Sequence, residues 1–445
     1  MNFAEAIQYL YSLGHETLAI KLGLRNTELL LRALGNPHES FKSVQIAGTN
    51  GKGSTAVVLD SICRAAGIAS GLYTSPHLVS ITERIKICGE QISEASFAKY
   101  ASEVRAAADN LVAVGQLKVL PTFFEHVTAI ALLAFREAGV GLAILETGLG
   151  GRLDATTVAG AQIVAITPLA LDHEEYLGET LAEIAAEKAA IIRPGVTAIV
   201  APQPPVALDV IRQRCAECHV VPSVDECKIK IERVTDDGRF VVTFETNGDD
   251  AGQYREVLLG LRGQHQIVNV AVAIRLAESL RRRGFEIPHA VVVEGIESAT
   301  HPGRLELHEG HPSLLLDGAH NPSGAQALKD YLQQFAKGPL TLVFGAMSDK
   351  KLDEIAAILF PAATYLILSQ PDNPRAASVE ALQSLAASFV TPQEILVTRS
   401  AGEALERARQ LTPTDGTICV TGSLYLVGEV KAILNAATYS QTVRA

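Results

Sequence analysis

The chain has no excess of basic residues and no long apolar run. Acidic residues outnumber lysine plus arginine by 49 to 38, a formal net charge of −11. That excludes the electrostatic footprint of a nucleic-acid-binding protein. The one basic run, Arg281-Arg282-Arg283, reads as a solvated helix end whose cations meet the negative end of the helix dipole. No apolar stretch approaches bilayer length, so no membrane span is expected. The opening Met1-Asn2-Phe3-Ala4-Glu5-Ala6 carries an acid and no basic segment, unlike a signal peptide. A cytoplasmic protein is expected, and its six cysteines then read as reduced thiols. Cys215 and Cys218, with His219 and Cys227 nearby, make a lone Cys-x-x-Cys, a weak zinc signal, so core or surface thiols are the expectation. There is neither a short-period repeat nor a low-complexity tail.

The 445 residues, 48% hydrophobic and 20% charged, suit a globular enzyme of two or three domains. The stretch that organises them is Gly48-Thr49-Asn50-Gly51-Lys52-Gly53-Ser54-Thr55. An apolar run, Ser43 to Ala47, precedes it, and a helix-like segment, Ala56 to Cys63, follows. Strand, glycine-rich turn and helix are the context of a phosphate cradle: backbone N–H groups converge on phosphate oxygens and the helix dipole assists. Lys52 can reach the β/γ-phosphates, and Ser54 or Thr55 can face a magnesium ion. The loop is shorter than the common P-loop, whose first glycine would fall at Ile46.

Residues 1–40 read as two helices around a short loop, Leu22 to Asn26. Strand candidates are Ser70 to Tyr73, Gly141 to Leu145, Ile163 to Thr167, Val196 to Val200 and Val220-Val221. Polar loops follow three of them: Thr74-Ser75-Pro76-His77-Leu78, Glu146 to Ala155, and Leu171-Asp172-His173-Glu174. Ligand sites in open α/β sheets lie at the carboxyl ends of strands, which places Ser75, Glu146 and His173 near a nucleotide-bound cation. Taken alone, Ser-Pro is a common turn and Glu146 also suits a capping acid. Residues 93–114 read as a helix. Leu120 to His126 leads into another, Val127 to Ala138, and Phe123-Phe124 suit core packing or one wall of a pocket for a flat ligand.

The helix Thr180 to Ile192 has the apolar face Leu181, Ile184, Ala185, Ala189 and Ile192, and Lys188 falls on it. A lysine on a buried stripe is costly unless its charge is paired or removed. Either Lys188 snorkels to the surface, or it is buried with a lowered pKa, a good site for carbamylation by CO2. Residues 228–261 change to an antiparallel element with a hairpin at Asp236-Asp237-Gly238. Asn269 lies early in a long helix ending near Arg283, where its amide can read a purine edge. A boundary is expected at Thr300-His301-Pro302-Gly303, dividing the chain into 1–298 and 299–445. Beyond it, Ser313 to Leu316, Leu340 to Phe344, Tyr365 to Leu368 and Ile418 to Val420 predict a parallel, Rossmann-like sheet. In Asp317-Gly318-Ala319-His320-Asn321-Pro322, Asn321 suits a helix cap, Asp317 a ribose hydroxyl and His320 a phosphate. The fold expected is α/β: a P-loop-type ATPase domain with a parallel sheet and a small antiparallel element, then a Rossmann-like domain.

Taken together the motifs resemble folylpolyglutamate synthases, including the bacterial forms that are also dihydrofolate synthases, within the Mur ligase superfamily. The resemblance is collinear from about residue 20 to 430, through GTNGKGST at 48–55, TSPHL at 74–78, FFE at 123–125, ETGLGGRLDAT at 146–156, LDHEEYLG at 171–178, EKA at 187–189, GRLE at 303–306, DGAHNP at 317–322 and TGSLYLVGEV at 421–430. It implies ATP and Mg2+ as cofactors. Thr49, Asn50, Gly51, Lys52, Gly53, Ser54 and Thr55 would hold the phosphates, and Asn269, Arg304 and Asp317 the nucleotide, with His320 nearby. Ser75, Glu146 and His173 would bind magnesium, and Lys188 would be carbamylated. Thr122, Phe123, Phe124, Glu125, Leu153, Asp154 and Ala155 would line a pterin site. The family's usual loop has valine where Thr147 stands and asparagine where Thr157 stands, and His126 replaces a residue commonly aromatic or apolar.

The implied reaction adds L-glutamate to a folate, or to dihydropteroate, through an acyl phosphate, in a monomer with Lys52, Lys188 and His320 as catalytic residues. Two rivals are weighed. A muramyl-peptide ligase would carry a nucleotide-sugar domain before the phosphate loop, and only 47 residues precede Gly48. A regulatory ATPase has no need of the Glu146, His173 and Lys188 set.

Overall fold

The computed structural model describes residues 1–14, 23–224, 227–247, 252–391 and 395–442. Strands β1 (Lys42–Ala47), β2 (Ser70–Tyr73), β3 (Ile85–Ile87), β4 (Glu90–Gln91), β5 (Leu142–Glu146), β6 (Ile163–Ile166), β7 (Thr197–Val200) and β8 (Ser223–Val224) form one sheet in the order β4-β3-β2-β5-β1-β6-β7-β8. Its six strands from β2 to β8 run parallel, and β3 and β4 close one edge antiparallel. Because both faces are covered by helices, the parallel strands are near-continuous apolar runs, and β1 and β5 are buried almost throughout. Register places Ile46 opposite Glu146 and Ala47 opposite Ile166, so three strand ends open at one level.

Strands β9 (Cys227–Val234), β10 (Phe240–Thr246) and β11 (Gln253–Leu258) make the expected antiparallel element. It packs on the helix His265–Arg282, which with His289–Ser298 covers the helix Lys52–Ala65. A third sheet holds β12 (Glu306–His308), β13 (Ser313–Leu316), β14 (Leu340–Phe344), β15 (Tyr365–Ser369), β16 (Ile395–Thr398) and β17 (Thr417–Thr421), in the order β12-β13-β17-β14-β15-β16. It has its own apolar layers on both faces.

Several expectations are corrected. The helix expected from Val127 begins at Phe123, because Thr122 and Glu125 form a capping box: the Thr122 hydroxyl accepts from Glu125 N and the Glu125 carboxylate from Thr122 N. Thr-x-x-Glu was the unread signal. The helix bearing Lys188 is Leu181–Ala189 and stops three residues short of Ile192. Val220-Val221 is no strand: Val221 is 92% exposed, and the edge strand is Ser223–Val224. Arg25 and Asn26 belong to the helix Arg25–Ala33 rather than a loop, while Leu22 lies outside the described residues. The third sheet is mixed, since β12 pairs antiparallel with β13. Cys215 and Cys218 are buried in an apolar cluster and all six cysteines are free. Among the described residues no helix is long and apolar enough to cross a membrane.

The small sheet is tied down by one buried acid. Glu278 accepts from Arg275 at 2.7 Å, from the Thr246 hydroxyl at 2.6 Å and from the Tyr254 hydroxyl at 3.3 Å. Glu278→Ala removes the carboxylate shared by Arg275, Thr246 and Tyr254 and is expected to destabilise the small sheet and the helix beneath it by about 3–5 kcal/mol, read by urea denaturation. A loss within experimental error would show that the contact is not structural.

Candidate active site

The loops that carry chemistry leave the carboxyl ends of parallel strands. From the first sheet come 48–55 after β1, 74–78 after β2, 147–156 after β5 and 167–173 after β6. From the third come 317–322 after β13, 345–350 after β14 and 422–425 after β17. They enclose two adjoining cavities. One is lined by residues 48–54, Glu146, Lys188, Asn269, Arg304 and Asp317. The other is lined by Thr122, Phe124, Glu125, Leu153, Asp154 and Ala155 on one side and by Met347, Lys350, Arg375, Ser423 and Tyr425 on the other. Ser75, His173 and His320 line both.

The phosphate loop is shaped by its glycines. Gly51 takes φ +87° and caps the helix Lys52–Ala65, and a Cβ there would stand 2.1 Å from Asn269 Oδ1. The Asn269 amide donates to Gln266 Oε1 at 2.9 Å, which holds it over the loop. Lys52 Nζ donates to the Thr49 carbonyl at 3.2 Å, and burial pushes its pKa down, opposed by Glu146. Thr49 is tied by its hydroxyl to the Ala170 carbonyl at 3.0 Å. Thr55, by contrast, is buried behind the loop with its hydroxyl toward the Asn269 carbonyl, and does not line the cavity.

Glu146 is 5% exposed, and burial raises its pKa against the pull of Lys52. It accepts the Ser75 N–H at 3.1 Å. His173 takes a left-handed conformation at the start of the turn Glu174–Leu177, and burial brings its pKa to about 3, so its ring is neutral and can offer a lone pair. Hydroxyl, carboxylate and neutral imidazole on one cavity suit a magnesium ion that keeps other positions for water and phosphate oxygens. Among the described residues no set of three His, Cys, Asp or Glu is gathered to hold a metal ion. Lys188 is 4% exposed on the helix face that the spacing assigned to it. Burial and the neighbouring Lys52 bring its pKa to about 7. It is buried, not snorkelling.

In the second lobe Arg304 donates to the Gly318 carbonyl at 3.2 Å, beside Asp317. Asp317 accepts from Leu305 N and Ala319 N, both at 2.9 Å. His320 Nδ1 lies 2.7 Å from the Gly318 carbonyl and therefore carries the proton, leaving a lone pair on Nε2; burial lowers its pKa to about 4.

Of the residues expected on the acceptor side, Phe124 forms a wall, its ring against Gly148, where a Cβ would stand 2.5 Å away. Phe123 does not reach the cavity: one position along a helix turns a side chain by about 100°. Its ring is buried and stacked with Tyr11 at 5.7 Å. Glu125 spends one oxygen on its cap and the other on the Thr27 hydroxyl, 2.9 Å away. Asp154 accepts from Gly148 N, Leu149 N, Thr156 N and the Thr156 hydroxyl, so it shapes the glycine loop. The departures Thr147, Thr157 and His126 are hydrogen-bonded in the interior. Sequence reasoning missed Asp172, Lys350, Arg375, Ser423 and Tyr425. Lys350 and Ser423 each follow a recognised strand, so the strand-end rule applied to the second sheet would have found both.

Comparison with known proteins gives the family. The Mur ligase middle domain matches residues 46–277, and the Mur ligase glutamate ligase domain matches residues 303–424. A Haloferax volcanii protein called a probable bifunctional folylpolyglutamate synthase/dihydropteroate synthase is 34% identical over 100% of this chain, which spans only 52% of that relative. Dihydrofolate synthase/folylpolyglutamate synthase of Bacillus subtilis is 33% identical over 94% of this chain and 96% of its own length. Mycobacterium tuberculosis folylpolyglutamate synthase complexed with ADP superposes with a TM-score of 0.89 at 31% identity, over 97% of this chain and 98% of that one. Escherichia coli FolC in complex with DHPP and ADP gives 0.86 at 29%, over 98% and 99%. With a phosphate loop, a buried lysine and an acceptor cavity in the positions described, this chain belongs to the folylpolyglutamate synthase/dihydrofolate synthase family of Mur ligases.

Proposed function

We propose that this chain is an ATP-dependent ligase that joins L-glutamate to a reduced folate, and to dihydropteroate as well. The observation that carries the proposal is the adjoining of a glycine-shaped phosphate cavity and an aromatic-walled acceptor cavity, with Ser75, His173 and His320 on both. A ligase needs that junction, because the acceptor carboxylate must meet the γ-phosphate there. A regulatory ATPase does not.

ATP phosphates lie along residues 49–54, with Asn269, Arg304 and Asp317 holding the nucleoside. Magnesium held by Ser75, Glu146 and His173 would supply charge neutralisation at the transferring phosphoryl group. Lys52 neutralises the same oxygens from the helix N-terminus. The acceptor carboxylate attacks phosphorus, forming an acyl phosphate and ADP. The glutamate amine then attacks the carbonyl carbon, its proton passes to His320 Nε2, and phosphate leaves. Lys350, Arg375 and Ser423 face this junction and suit the carboxylates of glutamate. Phe124 and Leu153, with Thr122 and Ala155, suit the pterin ring.

Lys188 serves as a carbamate. Its amine, half neutral near pH 7, attacks CO2; a C–N bond forms, one C=O pair moves to oxygen and the proton leaves nitrogen. We assign residues 1–298 and 299–445 to two domains, supported by their separate sheets and apolar layers. A monomer is favoured because one chain supplies both sides of the cleft, and a cytoplasmic location by the six free thiols.

Purified protein given ATP, magnesium and L-glutamate is expected to extend tetrahydrofolate and, separately, dihydropteroate by one glutamyl mass in mass spectrometry. Product with tetrahydrofolate alone restricts the activity to chain extension, and product with neither overturns the reading. After stripping of CO2 at acid pH, dissolved CO2 held at one fixed concentration is expected to restore activity faster at pH 8 than at pH 6, because the neutral fraction of Lys188 rises through its pKa. An equal rate at both would exclude carbamylation. Gly148→Ala crowds Phe124 and is expected to raise the acceptor KM about tenfold, with the KM for ATP unchanged; an unchanged acceptor KM removes Phe124 from the pocket.

A further inference from the structure

Asp172, on the loop after β6, gathers buried polar contacts from the second lobe. Its carboxylate is 8% exposed. One oxygen accepts from Lys350 Nζ at 2.8 Å and from the His173 backbone N–H at 2.9 Å. The other accepts from Asn321 Nδ2 at 3.0 Å, with His320 Nε2 3.8 Å away. Lys350, whose side chain is 9% exposed, and Asn321 both belong to the second lobe. The same Asn321 amide donates to Asn50 Oδ1 in the phosphate loop at 3.0 Å, while its oxygen caps the helix Pro322–Phe335 by accepting Gly324 N at 2.8 Å. One carboxylate and one amide thus join the phosphate loop, the His173 turn, a helix cap and Lys350. A second lobe-to-lobe pair, Lys351 with Glu174 at 2.6 Å, lies beside them but is more exposed, at 35% and 29%.

The placement matters more than the pairing. A buried ion pair within one lobe would serve only its core. This one spans two lobes that each have a core of their own, so its free energy acts on their relative position. It also sits where the two cavities join: Lys350, His173 and His320 line the acceptor cavity, and Asp172 lines the nucleotide cavity. Without an acceptor at 172, Lys350 loses its buried partner, and Asn321 keeps only Asn50 on the first lobe.

We propose that Asp172 is a positioning residue: it clasps the second lobe onto the phosphate loop through Lys350 and Asn321, and so makes lobe closure the event that brings Lys350 and His320 to the acyl phosphate. This rests on the ligase reading above. An open cleft lets water reach the acyl phosphate, so the clasp couples ATP consumption to amide formation.

The test compares wild type, Asp172→Asn, Asn321→Asp and the double variant D172N/N321D, which restores one amide–carboxylate contact in the opposite sense. Asp172→Asn is expected to lower kcat about 100-fold and to release several ADP per amide formed, while binding of a non-hydrolysable ATP analogue changes less than about threefold. The double variant is expected to recover at least about tenfold of the lost kcat and a lower ADP-to-amide ratio. A merely structural Asp172 would move melting temperature without moving that ratio. A ratio that stays at one in Asp172→Asn, or a double variant no better than the singles, overturns the proposal. If the wild type forms no amide, the ligase reading itself fails. The clasp is then judged by small-angle scattering: a larger radius of gyration in Asp172→Asn than in wild type supports it, and superimposable curves overturn it.

Discussion

Lys52, Glu146, Lys188 and Asp172 line one cavity, and charge removed from water must be paired, neutralised or hydrogen-bonded. Each neighbouring loop meets that demand in a way that also serves chemistry. Lys52 and Glu146 oppose one another's pKa shifts. Burial would raise the Asp172 pKa, but Lys350, a cation and a hydrogen-bond donor at 2.8 Å, works against it, and the carboxyl lies well below the usual carboxylate range. Lys188 meets the demand by losing its charge near neutral pH. Burial brings His265 to about 4 and His301 to about 3, so these rings add no cation to a cleft that must receive a polyanion.

The same demand decides how the lobes meet. Their contact pairs the carboxyl ends of two sheets, which carry polar loops, and adds an apolar contact where Phe335 packs edge-on against Phe240. Where backbone must come close, side chains are absent: a Cβ at Gly428 would stand 2.0 Å from the Leu78 carbonyl oxygen, so the helix Leu424–Thr442 can lie against the loop after β2. Where charge meets across the cleft, it is paired: Asp172 with Lys350 and Glu174 with Lys351. The His301 ring, at the expected boundary, lies 3.2 Å from the Ser54 hydroxyl, which ties the connecting segment to the phosphate loop as well.

On the acceptor side, residues with obvious chemical reach are partly committed to architecture. Asp154 accepts four hydrogen bonds, the full capacity of a carboxylate. It fixes the backbone of residues 148–149 so that Gly148 can lie on the Phe124 ring. Glu125 joins the helix Phe123–Glu137 to Thr27 of the helix Arg25–Ala33. The cavity's shape is therefore set by hydrogen bonds beneath its surface, and its wall by a ring, two aliphatic side chains and backbone.

Much of this was legible in the chain. Local rules found the strand, turn and helix of the phosphate loop, the acid ending β5 and the cap at Asn321, because those features depend on neighbours within a few residues. Periodicity placed Lys188 on the apolar face of its helix and left burial or snorkelling open. A capping box was missed at Thr122 and Glu125, and with it the fact that Phe123 and Phe124 point different ways. What no local rule could supply is which loops face each other. Asp172 meets Lys350, 178 residues away, and Asn321 meets Asn50, 271 residues away. Those pairs follow from setting two separate sheets end to end, a choice made by packing over the whole molecule. The residues determine by themselves that a phosphate loop and a lysine on an apolar helix face exist; only the tertiary structure decides that the lysine is buried and that both share a cleft closed by a carboxylate from one lobe and a lysine from the other.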